Sequence, residues 1–280
     1  MRLAVLDGRA TLLTADGPVD VERASDGRFP SDAALLYETW DELRDWASAF
    51  VPAAEGELPD RARLGAPSPR PRQVFAIGLN YVDHAAESGF AVPEHPVVFT
   101  KFASSLAAPF GELPLSGGTV DWEVELVAVI GRGGRDIPAA EAWDRIAGLT
   151  VGQDYSDREV QMAASPAQFS LGKSFAGFAP TGPALVTLDE LGDPDAIRLE
   201  CTVDGEVVQS GVVGDMIFSL PVLVERLSAV CELLPGDLIF TGTPPGVGMG
   251  RTPVRYLRPG ERVTTRIAGI GEIEQVCVPR

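Results

Sequence analysis

Two glutamates one residue apart, Glu123 and Glu125, stand inside the apolar run "DWEVELVAVIG" at residues 121–131, and Asp121 opens it. Residues two apart on a strand point to one face, so the spacing predicts three carboxylates converging there. Carboxylates at close range repel one another unless a cation lies between them. Further on, Asp154 follows the strand-like "LTVG" and precedes Ser156, Arg158 and Gln161. Two glutamates and an aspartate offer only oxygen, which suits Mg²⁺, Mn²⁺ or Ca²⁺ better than zinc. Three protein oxygens leave coordination positions open for substrate and water, as metal-assisted catalysis requires. The competing reading is an acidic strand end that faces water.

The chain has two histidines. His84 stands three residues before Glu87, so on a helix the two side chains are neighbours. A carboxylate beside an imidazole fixes its tautomer, the arrangement of a general base; a purely structural histidine is the alternative. His95, between prolines in "PEHPVV", reads as a loop residue. Lys173, in "LGKSFAGF", lies among apolar and small residues, which predicts a partly buried ammonium with an anionic partner rather than a surface lysine. "TGTPPGVGMG" (241–250) lacks the Lys-Ser/Thr of a phosphate loop and is not followed by a helix pattern. It reads as a tight loop whose backbone N–H groups, with Thr243, approach a small carboxylate, or as a structural turn.

The elements that must hold these groups are mostly strands. "QVFAIGLN", "PVVFT", "VELVAVIG", "RLECTVDGEVVQ", "DLIFTG" and "RVTTRIAGIGEIEQVCV" are β-rich runs bounded by Gly, Pro and Asp. Asp-Gly pairs at 7–8, 16–17, 26–27 and 204–205 predict turns, several of them hairpins. "SDAALLYETWDELRDWASAF" (31–50) has helical spacing of Leu35, Leu36, Trp40, Leu43 and Trp46, with Ser31 as the expected N-cap. "IFSLPVLVERLSAVCELL" predicts a second helix with Pro221 in its first turn. No regular helix separates the strands, which excludes a doubly wound parallel sheet and gives an α+β, mainly β fold. The Pro-rich "APSPRPRQ" (66–73) marks a boundary, with a small N-terminal α+β domain over 1–68 and a main domain over 69–280.

The composition sets further bounds. A net charge of −17 argues against nucleic acid, which needs clustered Lys and Arg. No apolar run reaches the length of a membrane helix, and the first residues lack a signal-peptide pattern. Cys201, Cys231 and Cys277 are scattered and odd in number, which speaks for a reducing cytoplasm and against a disulfide framework or zinc site. A small anionic ligand would need local cations or a metal to overcome the acidic field.

"GLNYVDHAAE" (78–87), "DWEVELVAVIG" (121–131), "VGQDYSDREVQ" (151–161), "GKSFAGFAPTGP" (172–183), "LLPGDLIFTGTPPGVG" (233–248) and "YLRPGERV" (256–263) resemble the successive motifs of the fumarylacetoacetate hydrolase family. The resemblance runs in order from about Phe75 to the C-terminus. It implies that Glu123, Glu125 and Asp154 hold the metal, with Asp121 outside the ligand set. It places Arg158, Gln161 and Lys173 around the substrate, His84 and Glu87 on a short lid helix, and Thr243 at the substrate's carboxylate end. It further implies a mixed β-roll catalytic domain and a homodimer. Two departures stand out: Gln153 replaces a common Asn before the ligand Asp, and Ala176 and Gly177 replace an Asp and a bulkier residue.

The function expected is a divalent-metal-dependent hydrolase that cleaves a C–C bond in a 2,4-dioxo acid of acylpyruvate or fumarylpyruvate type. His84 with Glu87 would activate the water, Gln161 would orient it, and Lys173 would face the developing negative charge. The same site could serve oxaloacetate decarboxylation or 2-hydroxyhepta-2,4-diene-1,7-dioate isomerisation, since all three pass through an enolate. A non-catalytic metal- or metabolite-binding module is the rival from another class; such a module needs no general base.

Overall fold

The computed structural model describes residues 1–49 and 60–280. Phe50, the last residue of the expected 31–50 helix, lies outside them. Among the described residues no helix is long and apolar enough to cross a membrane.

Strand Val124–Ile130 explains the architecture, because every one of its residues is buried. Leu126, Ala128 and Ile130 enter one core, and Val127 and Val129 enter another. A strand covered on both faces reads as a continuous apolar run instead of an alternation. It lies inside an 11-stranded mixed sheet whose main path runs Gly17–Asp20, Arg9–Thr14, Arg2–Leu6, Ala179–Val186, Ile146–Gln153, Val124–Ile130, Leu238–Phe240, Val74–Gly78 and Val97–Thr100. Residues on either side of the expected 68/69 boundary therefore share one sheet, joined by Arg2–Leu6 pairing with Ala179–Val186.

A five-stranded sheet covers one face, in the order Glu206–Val212, Arg198–Val203, Arg262–Ile267, Gly271–Pro279 and Phe110–Leu115. Its Leu199, Cys201, Val263 and Ile273 meet Leu126, Ala128, Leu149 and Val151. The opposite face packs against Leu36, Tyr37, Trp40 and Leu43. The mixed α/β, mainly β fold is as expected.

Local chemistry accounts for several element ends. Asp7-Gly8 and Asp204-Gly205 both take left-handed conformations inside two-residue hairpin turns. Pro221 sits in the first turn of helix Leu220–Ser228. The expected 31–50 helix is broken into Ala33–Leu36, a tight turn at Tyr37–Thr39, and Trp40–Ala49. Asp32, not Ser31, is its N-cap: the extended Asp32 accepts from Ala34 N at 3.1 Å.

Candidate active site

The antiparallel register brings the acidic residues together. Val124 pairs with Gln153, so the chain on either side of that pair holds Glu123 and Glu125 on one strand and Asp154 on the other. Asp154 N donates to Glu123 O at 2.9 Å, which closes the pair of strand ends. Carboxylate oxygens of Glu123, Glu125 and Asp154 lie within 4.8 Å of one another, and all three residues are buried.

The uninterrupted strand expected from Asp121 to Glu125 is not what forms. Val120–Asp121 pairs with Ser156–Asp157, Val124–Ile130 belongs to the large sheet, and Trp122–Glu123 belongs to neither. Side chains support the break: Glu123 N donates to Gln153 Oε1 at 2.8 Å, and Val124 N to Gln209 Oε1 at 2.9 Å. Gln153 also donates to Thr265 Oγ1 at 2.9 Å, so the residue that departs from the family's common Asn buttresses this junction. Asp121 consequently turns away from the triad. It accepts from Gly248 N at 2.7 Å, Met249 N at 3.0 Å and Arg158 Nε at 2.8 Å.

Cations answer the carboxylates unevenly. Lys173 Nζ bridges Glu123 Oε2 at 2.7 Å and Asp154 Oδ2 at 2.6 Å. Arg158 Nη1 lies 2.8 Å from Glu123 Oε1. Burial works against ionisation of Glu123, but Lys173, Arg158 and His84 outweigh it and bring its pKa down to about 2. Glu125 goes the other way: burial first, then Asp154 and Glu123, push its pKa well above the carboxylate range. Among the described residues Glu125 has one hydrogen-bond donor, Gly242 N at 2.8 Å, and no ion-pair partner. A buried carboxylate so placed must take up a proton or a cation. The residues therefore fit a hard divalent ion, which Glu123, Glu125 and Asp154 would hold.

Lys101 was not foreseen. It follows strand Val97–Thr100, is buried, and its ammonium contacts Asp154 Oδ1 and Lys173 O. Burial lowers its pKa while Asp154 raises it, and burial prevails. A lone lysine after an apolar strand carries no chemical motif; its only sequence signal is the apolar run before it.

Lys173 is buried, as expected, and stacks its ammonium 5.0 Å from the Phe99 ring centroid. Helix Phe169–Gly172 delivers it, and Gly172 permits that approach: a Cβ there would lie 2.5 Å from Gln161 N. Arg158 and Gln161 share helix Arg158–Met162, whose N-cap Asp157 accepts from Val160 N. Gln161 Oε1 accepts from Arg158 Nη1 at 2.9 Å. Thr243 Oγ1 donates to Val124 O at 2.9 Å and accepts from Gln209 Nε2 at 2.8 Å, which leaves it a lone pair for a ligand.

His84 and Glu87 lie on helix Val82–Glu87, with Nδ1 and Oε1 2.9 Å apart. Ionised Glu87 can only accept, so the imidazole carries its proton on Nδ1 and leaves Nε2 as a base. His84, Glu123, Arg158, Gln161, Lys173 and Thr243 all line one cleft.

The 241–250 loop corrects another expectation. Its N–H groups were expected to meet a ligand carboxylate, yet Gly242, Gly246 and Gly248 donate to Glu125, Glu87 and Asp121. The loop thus anchors three acidic residues of the protein. Gly246 adopts φ +110°, and a Cβ there would lie 2.2 Å from Val208 O, so a side chain would force this loop to shift.

Known proteins resemble this chain in sequence and in fold. The Fumarylacetoacetate (FAA) hydrolase C-terminal family matches residues 73–278. The mitochondrial oxaloacetate tautomerase FAHD2A of Homo sapiens is 46% identical over 210 residues, which cover 74% of this chain and 67% of that protein. A Mycobacterium smegmatis protein provisionally named HpcE has a crystal structure with TM-score 0.96 and 53% identity, covering 100% of this chain and 99% of that one. Maleylpyruvate hydrolase from Sphingobium sp. SYK-6, solved with manganese(II) and pyruvate, has TM-score 0.81 and 27% identity, covering 100% and 99%. The match in sequence over most of the chain, and in fold over all of it, makes this protein a member of the fumarylacetoacetate hydrolase family.

Proposed function

We propose that the protein moves protons at the carbon next to the ketone of a small 2-oxo acid, with oxaloacetate keto–enol tautomerisation as its main reaction. The observation that carries this reading is His84, held by Glu87 at 2.9 Å, lining the same cleft as Glu123. A divalent ion bound there would act as a Lewis acid toward the carboxylate and keto oxygens of the substrate. His84 Nε2 takes the proton from C3, and Glu87 steadies the imidazolium that results. Lys173 and Arg158, both buried, lie beside the oxygen that gains negative charge and favour that charge in a low-dielectric site. Enol formation returns a proton to the keto oxygen; in the reverse direction the enol O–H gives up its proton and the imidazolium protonates C3, so nothing is consumed. The 46% identity to a protein named as an oxaloacetate tautomerase supports this choice of substrate.

Hydrolysis of an acylpyruvate is the second reading, supported by the likeness to maleylpyruvate hydrolase. There the same Nε2 would take its proton from water, hydroxide would attack C4, and the C3–C4 bond would break to leave a carboxylic acid and a pyruvate enolate that takes the proton at C3. Mg²⁺ or Mn²⁺ is the expected cofactor in both, and a homodimer the expected assembly.

The test is a panel with Mg²⁺ or Mn²⁺: enol-oxaloacetate, acetylpyruvate and fumarylpyruvate, followed by NMR against buffer alone. Accelerated enol–keto exchange without C–C cleavage supports the first reading; acylpyruvate cleavage supports the second. Pyruvate released from oxaloacetate would point to decarboxylation. Full activity after rigorous chelation would remove the metal from the proposal, and inertness toward the whole panel would sink both readings.

A further inference from the structure

Helix Val82–Glu87 brings a second polar group to the cleft. Ser88 is the helix C-cap; its N–H donates to His84 O at 3.1 Å, and it lines the same cleft as His84. Residues four apart share a helix face, so the hydroxyl stands one turn beyond the imidazole. That hydroxyl is buried and, among the described residues, has no hydrogen-bond partner. It does not bond back to the carbonyl one turn earlier, although a serine there could do so.

Buried hydroxyls in folded proteins are nearly always paired, and an exception marks a place for water or a ligand. Several other polar groups of the cleft already have protein partners, whereas His84 Nε2 and Gln161 Nε2 have none among the described residues. Thr243 bonds Val124 and Gln209, Gln161 Oε1 bonds Arg158, and Lys173 bonds two carboxylates. Arg158 Nη2, which also lacks a well-directed hydrogen bond, still lies 2.8 Å from Asp121 Oδ2. Apolar Leu79, Phe90, Met162, Phe169 and Met249 complete the wall.

We propose that Ser88 Oγ donates a hydrogen bond to an oxygen on the substrate's fourth carbon and thereby sets the preference for 2-oxo acids oxygenated there. This rests on the proposed function, in which C1 and C2 face the carboxylate cluster and C3 faces His84. The next carbon then lies on the Ser88 side of the imidazole. A C4 carboxylate and a C4 ketone both offer the acceptor, whereas an alkyl tail leaves the hydroxyl unpaired.

Calorimetry with Mg²⁺ present can test this with malate and 2-hydroxybutyrate, four-carbon 2-hydroxy acids that differ only in the group at C4. Wild type should prefer malate. Ser88→Ala should reduce that preference by about 10-fold through weaker malate binding, as for loss of a buried hydrogen bond. Ser88→Thr, which keeps the hydroxyl, should retain it. Equal binding of the two acids by wild type, an unchanged ratio in Ser88→Ala, or equal weakening of both ligands would overturn the assignment. Neither acid reacts, so the outcome is separate from turnover: a Ser88-dependent preference without oxaloacetate turnover would remove the function and leave the specificity residue.

Discussion

The acidic cluster and the helix that carries His84 sit across one cleft, yet they are held in different ways. Glu125 lies in a strand buried on both faces, and its neighbours pair with strands on either side. Asp154 is gripped by two ammoniums, and Glu123 by an ammonium and a guanidinium. Helix Val82–Glu87 has six residues, exposes Val82, and is tied to the 241–250 loop through Glu87 and Gly246 N at 2.9 Å. The first arrangement couples chemistry to folding. The second leaves the base on an element small enough to open and close over the cleft.

The largest effect expected from this contrast is at Asp154. Asp154→Ala leaves Lys101 with no carboxylate and Lys173 with Glu123 alone, and breaking such buried pairs costs about 3–5 kcal/mol. Chemical denaturation should show that loss, with divalent-ion binding and activity falling below detection. An unchanged unfolding midpoint would break the claim that the cluster belongs to the fold. His84→Ala should lower turnover by ~10²–10⁴-fold, the range for loss of a general base. Its unfolding midpoint and Mg²⁺ affinity should stay near wild type, and a parallel loss of metal affinity would erase the distinction between the two regions.

Gly246→Ala probes the tie between them. A left-handed residue with no room for a Cβ should cost about 1–3 kcal/mol on substitution. The displaced loop should release Glu87 and lower activity by less than His84→Ala does, with the metal retained. The smallest expected effect is in hydrogen exchange. Amides of Leu126–Val129 should open only with global unfolding, and those of Ala85–Ser88 by local opening. Oxalate with Mg²⁺ should slow the second group and leave the first unchanged; equal protection of both groups without ligand would contradict the comparison.

Much of the molecule was legible before the structure because it depends on local chemistry. Hairpins at Asp7-Gly8 and Asp204-Gly205 follow from the left-handed conformations those residues tolerate. Helix Leu220–Ser228 follows from its spacing and its first-turn proline. The pairing of His84 with Glu87 follows from helical periodicity alone. Motif order placed the chain in its family, and the oxygen donors at 123, 125 and 154 marked the acidic residues that the fold brings together.

Tertiary structure decided the rest. Strand periodicity alone put Asp121 with the two glutamates, but side chains of Gln153, on the paired strand, and Gln209, in the other sheet, break the ladder between them. The same long-range pairing sent the N–H groups of Gly242, Gly246 and Gly248 to protein carboxylates. Lys101 is the sharpest case, since its position in the chain offers nothing but a charge after an apolar strand. Only the fold shows that Lys101 is buried against Asp154, because periodicity reports which face a residue occupies and never what another part of the chain places opposite it.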